Sequence, residues 1–219
     1  GGGGGGRARP GPPRPPTPQE LATLRSTGTI SGEKAAIRFE HQSPTLLEVV
    51  RDVNKYSNNV MAQHLFLTLG LHASLGQPKA GTLDSAHAAL AAWWKKNLPG
   101  TAQPLMDNGS GLSRNERVTA AGLGALLLHA AKSPLAADLA DSLPIAGVDG
   151  TLRERGKGVA GQAFLKTGSL RDVTAIAGYA NGNSGTRYIV VGLINHPNAG
   201  AARPALDALL EWTVKEAAR

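Results

Sequence analysis

Three strand-length apolar runs near the C-terminal end most narrow the folds open to this chain: Gln162 to Thr167, Ala175 to Ala180 and Tyr188 to Ile194. The last two are joined by Asn181-Gly182-Asn183-Ser184-Gly185, residue types that suit a turn, so the three read as an antiparallel meander. A closing amphipathic helix over Pro204 to Ala218 carries Leu206, Leu209, Leu210, Trp212 and Val214 on or near one face and is expected to lie across the sheet. The first run ends with Lys166 and Thr167, followed by Gly168 and Ser169.

Upstream, helical periods take over. Ser43-Pro44 predicts an N-cap with proline at the first helical position, followed by Leu46, Leu47, Val50 and Val53 and an end near Lys55. Ser57 is placed as the N-cap of a second helix running to Leu69 and closed by Gly70. A third helix is expected from Thr82 to Asn97, stopped by Pro99-Gly100, with Trp93 and Trp94 in core or groove packing. Met106 to Arg114 is dense enough in Gly, Ser and Asn to be a tight loop. Thr119 then caps a helix over Ala120 to Ala131, and a short helix surrounds Leu135 to Leu139. Before all of these, Gly28 to Ile30 and Ala35 to Glu40 suggest two short strands.

Residues 1 to about 20 are mostly Gly, Pro and Arg with almost nothing to bury, and are expected to be a disordered tail ahead of one domain over 21–219. That tail supplies Arg7, Arg9 and Arg14 to the net charge of +7, and the remainder is only mildly basic. With 4% aromatics and no Lys/Arg block interleaved with them, a nucleic-acid partner is not expected. The absence of cysteine removes thiolate nucleophiles, disulfides and Cys-ligated metals. The six histidines show no paired metal spacing with carboxylates, so a surface or capping role is assigned to each. No run reaches the length of a membrane span and no signal peptide is recognisable. The loop at Gly109 and Gly111 lacks the Lys-Ser/Thr of a P-loop, and Asp107 within it is read as a loop-capping carboxylate.

Acyl transfer from a peptide needs a nucleophile, a group to take its proton, donors for the oxyanion and a holder for the substrate carboxylate. Lys166 offers positive charge, Thr167 a hydroxyl for a terminal carboxylate, and Gly168 a backbone that substrate can approach. Ser57 and Asn59 offer a relay hydroxyl and a side-chain amide. Each motif is common alone: Lys-Thr-Gly ordinarily marks a strand leaving for a turn, and Ser57 to Asn59 suit plain capping.

Order and context add to this. Ser43 to Leu46, Val53 to Ala62 and Asp107 to Arg114 resemble successive blocks of the D-Ala-D-Ala carboxypeptidase/endopeptidases, the class C low-molecular-mass penicillin-binding proteins. Leu143 to Gly147, Asp149 to Leu152, and Lys166 to Leu170 ahead of Gly178-Tyr179 agree, and the likeness spans roughly Ser26 to Ala217. It implies an α/β (α+β) chain of the penicillin-recognising serine transpeptidase/beta-lactamase-like fold, an antiparallel sheet with helices on both sides, incomplete at the N-terminus. By the same resemblance Ser57, Asn59 and Lys166 would be catalytic and would converge on one cleft, while Thr167, Gly168 and Ser169 would bind substrate. The substrate would be a peptidoglycan stem peptide ending in D-Ala-D-Ala, cleaved through a serine acyl-enzyme without metal or other cofactor. Beta-lactams would inhibit a complete site, and the location would be periplasmic or otherwise extracytoplasmic.

The family's nucleophile opens a buried helix as Ser-x-x-Lys. The only match here is Ser31-Gly32-Glu33-Lys34, and the alternation of Ala35, Ile37 and Phe39 after it reads as a strand. The chain therefore resembles the C-terminal portion of such an enzyme without its nucleophile motif. The alternative is a non-catalytic module of the same fold that binds glycan or peptide.

Overall fold

The computed structural model describes residues 43–73 and 81–216. The tail over 1–20, the two early strands, Ser31, Lys34, His41, the side chain of His72, Ala217 and Ala218 lie outside them. Helix α1 spans Leu46–Tyr56. Its N-cap is Thr45 and not Ser43: the Thr45 hydroxyl accepts from Glu48 N at 3.3 Å while the Glu48 carboxylate accepts from Thr45 N at 2.7 Å. This reciprocal box needs an acid three residues after the cap, which Thr45 has and Ser43, with Leu46 there, does not.

Helix α2, Asn59–Ala73, and helix α3, Leu83–Asn97, pack as a pair. Gly70 does not close α2. A Cβ there would lie 2.3 Å from Ser85 Oγ and 2.6 Å from Ala86 N, so glycine permits the close approach of α3. Trp94 is buried and donates its indole N–H to Thr101 O, whereas Trp93 stacks at the surface against Trp94 and His129. An antiparallel bridge between Leu105 and Arg117 pinches the Gly/Ser/Asn loop closed. Helices α4, Ala120–Ala131, capped by Thr119, and α5, Ala136–Ser142, follow.

The sheet is antiparallel in the order β1-β2-β3, with β1 Ala163–Leu170, β2 Val173–Asn181 and β3 Arg187–Asn195. Helix α6, Arg203–Lys215, covers one face: Leu206, Leu210 and Val214 meet Leu165, Ile176, Ala180 and Val190. On the other face Phe164, Ala177, Tyr179, Ile189 and Val191 meet Leu127 of α4, Ala140 of α5 and Leu143. Alternate residues of each strand go to opposite cores, which is the period of two that a sheet covered on both faces demands. Tyr179 OH, buried in the second core, donates to Leu127 O at 2.8 Å. Helices on both sides of an antiparallel sheet are thus the observed architecture.

Strand β1 runs beyond Thr167, where the sequence reading ended it. Lys166 pairs with Ala177, Gly168 with Ala175 and Leu170 with Val173 before a hairpin through Arg171 and Asp172. The outer side of β1 is covered only at its start, where Leu165 N donates to Pro144 O and Ala146 N donates to Ala163 O, each at 2.9 Å. Among the described residues nothing pairs with that side beyond Leu165. Thr167 and Ser169 share the outward backbone parity of Leu165, so their N–H groups face away from β2.

Candidate active site

Helix α1 delivers Ser57. The residue adopts φ 53° and ψ 48°, the left-handed region, and ends the helix by donating its N–H to Val53 O; Asn58 N donates to the same carbonyl at 3.2 Å. Asn58, not Ser57, starts α2, its Oδ1 accepting from Met61 N at 3.0 Å. The reading of Ser57 as an N-cap is therefore corrected. Two helices meeting across so short a junction need one left-handed residue, and Ser57 supplies it, leaving its hydroxyl free of capping duty.

That hydroxyl accepts a hydrogen bond from Lys166 Nζ. The ammonium also donates to Thr167 O at 3.0 Å, and among the described residues no carboxylate pairs with it. Burial pushes the Lys166 pKa down, because a partly desolvated cation favours its neutral form. An amine that loses its proton more readily than an exposed lysine, bonded to a hydroxyl, can pass a proton through that hydroxyl. While charged, it attracts an anion.

Asn59 stands at the first residue of α2, and its Nδ2 donates to Ser110 O at 2.6 Å, tying the helix start to the loop. This contact leaves Oδ1 as an acceptor. Asn59 and Lys166 do not bond each other; Asn59 lies two residues from Ser57 along the chain, and Lys166 reaches Ser57 through its ammonium. Thr167 and Ser169 lie on the α6 face of β1, opposite to Lys166 and Gly168. The Thr167 and Thr151 hydroxyls are 2.9 Å apart, and Ser169 Oγ accepts from Arg203 at 3.4 Å. A Cβ on Gly168 would make only ordinary contact, 3.5 Å from Ala175 Cβ, so the fold itself does not require glycine there.

The loop is not capped by Asp107, whose carbonyl accepts from His87 Nε2 at 2.8 Å; Asn108 Oδ1 takes Ser110 N at 3.0 Å instead. A cleft of about 770 Å³ opens between this loop and the β1-β2 hairpin, with Arg114, Arg117, Leu170, Asp172 and His196 along it. Sequence reasoning gave no role to Lys55. Its Nζ is buried and donates to Asp149 at 2.7 Å and to Leu143 O at 2.6 Å. The only signal available was a lysine on the polar side of an amphipathic helix, which ordinarily means solvent.

The family model described as D-Ala-D-Ala carboxypeptidase 3 (S13) matches residues 24–215. A D-alanyl-D-alanine carboxypeptidase from an Actinomadura species is 31% identical over 80% of this chain and 33% of its own length. Carboxypeptidase DacB of Mycolicibacterium smegmatis is 33% identical over 87% of this chain and 41% of its own. Among solved structures, penicillin binding protein 4 from Haemophilus influenzae superposes with a TM-score of 0.62 at 25% identity, covering 75% of this chain and 39% of that one. A penicillin G-acylated predatory endopeptidase from Bdellovibrio bacteriovorus shares the fold, with a TM-score of 0.61 at 22% identity over 77% of this chain and 46% of that one. The chain thus spans 33–41% of the length of the curated relatives it matches.

Proposed function

The chain belongs to the D-Ala-D-Ala carboxypeptidase 3 (S13) family, and on that premise we propose that it forms the substrate-holding and proton-relaying side of a serine-type D-Ala-D-Ala carboxypeptidase/endopeptidase site. The observation that carries the reading is the hydrogen bond from the partly buried Lys166 ammonium to Ser57 Oγ. In this reading Ser57 and Lys166 move the proton between nucleophile and leaving amine, and the residual positive charge holds the terminal carboxylate of a peptidoglycan stem peptide with the Thr167 hydroxyl. The outward N–H groups of Thr167 and Ser169 pair with the peptide backbone as an added strand, Gly168 leaves room for it, and Asn59 Oδ1 accepts from a substrate amide. Reaction goes through a serine acyl-enzyme, beta-lactams compete for the same groups, and the place of action is periplasmic or otherwise extracytoplasmic. Among the described residues no helix is long and apolar enough to cross a membrane.

A second reading, a binding module without turnover, is favoured by the strand-like context of the sole Ser-x-x-Lys, Ser31 to Lys34. Both readings share a carboxylate-dependent grip on the stem peptide. Calorimetric titration with an acylated D-Ala-D-Ala peptide, free and C-terminally amidated, tests it. We expect the free acid to bind at least about tenfold more tightly, since a charged hydrogen-bond partner is lost on amidation, and Lys166→Ala to remove the preference. Equal binding of both peptides by the unaltered chain would overturn the assignment of Lys166.

A further inference from the structure

The turn Asp149-Gly150-Thr151 touches both halves of the site without belonging to either. Asp149 Oδ2 accepts from Lys55 Nζ at 2.7 Å, and its Oδ1 accepts from Ile145 N at 2.8 Å. Lys55 lies two residues before Ser57, and Ile145 forms an isolated bridge with Phe164, two residues before Lys166. Gly150, at φ 54°, sits so close to α1 that a Cβ would lie 2.7 Å from Lys55 O. Thr151 Oγ1 is 2.9 Å from Thr167 Oγ1. One carboxylate thus joins the end of α1 to the segment that edges β1, and the next two residues touch α1 and β1 directly. Alongside it, Asn54 Nδ2 donates to the buried Ser142 Oγ at 2.8 Å, fixing the same helix to α5.

We propose that this turn is the positioning element of the site, with Asp149 the positioning residue that, through Lys55 and Ile145, sets the end of α1 against β1 so that Ser57 meets Lys166. The inference rests on the functional reading above for its purpose, but on the contacts alone for its geometry. A carboxylate satisfied on both oxygens by a buried ammonium and a backbone N–H is held in place, and a buried lysine deprived of it keeps the Leu143 carbonyl but carries an uncompensated charge that draws it toward water. The end of α1 then leaves Lys166, and water reaches the ammonium.

The test is the titration of Lys166 in the chain of 219 residues, read by competitive acetylation across pH with mass spectrometry of each lysine. Asp149→Asn is expected to raise the Lys166 midpoint toward that of an exposed lysine. Direct electrostatics predicts the opposite sign, because removing a negative charge lowers a lysine pKa, so the direction separates repositioning from a field effect. Asp149→Glu keeps the charge but lengthens the arm by one carbon, and is expected to give a smaller shift in the same direction. Asp207→Asn, which breaks the Arg155–Asp207 pair to α6 and leaves the Asp149 carboxylate on Lys55 and Ile145 in place, is the control and should leave the midpoint in place. A Lys166 midpoint that stays put in Asp149→Asn while thermal stability falls as in Asp207→Asn would overturn the proposal; were Asp149→Asn not to fold, an unmoved midpoint in Asp149→Glu would do the same. Because the readout needs no substrate, a shifted midpoint together with indifference to the peptide's free carboxylate would sink the functional reading and leave the positioning role standing.

Discussion

Ser57 occupies a backbone region that a side chain makes costly by roughly 1–2 kcal/mol, and it does so where its hydroxyl meets the Lys166 ammonium. Ser57→Gly and Ser57→Ala both delete the hydroxyl, but only glycine relieves the strain. We expect the glycine variant to be the more stable of the two by about 1 kcal/mol in urea unfolding, with peptide binding impaired equally in both. Lys166 gives a pH prediction. Its folded pKa is depressed, so the unfolded chain holds the proton to higher pH. Burying the charge therefore costs stability in full below the folded pKa, and the cost fades as pH rises through that pKa toward the ordinary lysine value. Lys166→Met should gain in Tm relative to the parent near neutral pH and lose that advantage as the buffer becomes alkaline; a constant difference across the range would show that desolvation is not the cause. At this scale the meeting of Ser57 with Lys166 was legible in motif order, whereas the sign of φ at Ser57 was not. Serine serves equally as a cap before a helix and as a closing residue after one, and only the angle between the two helices decides.

Helix and strand types were readable from periodicity, but their ends were less so. In sequence, Gly70 and Gly168 both carry local meanings, a helix stop and an approach for substrate. Around Gly70 the neighbour is Ser85 and Ala86 on another helix, a long-range contact with no local trace; around Gly168, among the described residues, a Cβ would meet only Ala175 Cβ, at an ordinary 3.5 Å. Gly70→Ala is expected to cost about 1–3 kcal/mol through overpacking, and Gly168→Ala to stay within about 0.5 kcal/mol of the parent while weakening stem-peptide binding. Denaturant midpoints and calorimetry on the two variants check this, and a Gly168→Ala variant that binds like the parent would remove that residue from the site. Strand β1 was read three residues short because Gly168 and Ser169 suit turns; pairing with Ala175 and Thr174 keeps them extended. The capping box at Thr45 was visible in sequence, since Glu48 follows at the required spacing, but Ser43-Pro44 offered a competing signal.

At the scale of the molecule, one sheet separates two apolar cores, and the side chains of its first strand divide between them. Lys166 projects toward the α4 and α5 side, Thr167 and Ser169 toward α6, so the strand edge and not one face is what these residues share. An antiparallel meander with a closing helix was legible from the spacing of three apolar runs and one amphipathic stretch. That the Asp149 turn would join α1 to β1 was not, because the sequence separation from Lys55 hides the pairing. For chemistry the decisive group is the nucleophile. A serine acylates only when a base stands within hydrogen-bond reach, and Ser31 with Lys34 reads as a turn before a strand. We expect the chain as given to retain no covalent label from a fluorescent penicillin after denaturation, with Ser31→Ala identical to the parent. Label that vanishes in Ser31→Ala would show that the motif is helical and the site complete.

The half-covered outer side of β1 also sets a clock. Leu165 N is locked to Pro144 O, and the even-numbered amides are turned toward β2, but the N–H groups of Thr167 and Ser169 have no partner among the described residues. Placed in heavy water, the strand should exchange with a period of two past Leu165, the amides of Thr167 and Ser169 gaining deuterium long before Gly168 and Leu170. A ligand that adds itself as a strand would slow those two amides and leave their neighbours nearly unchanged, so the strand reports its own occupancy in time as well as in space.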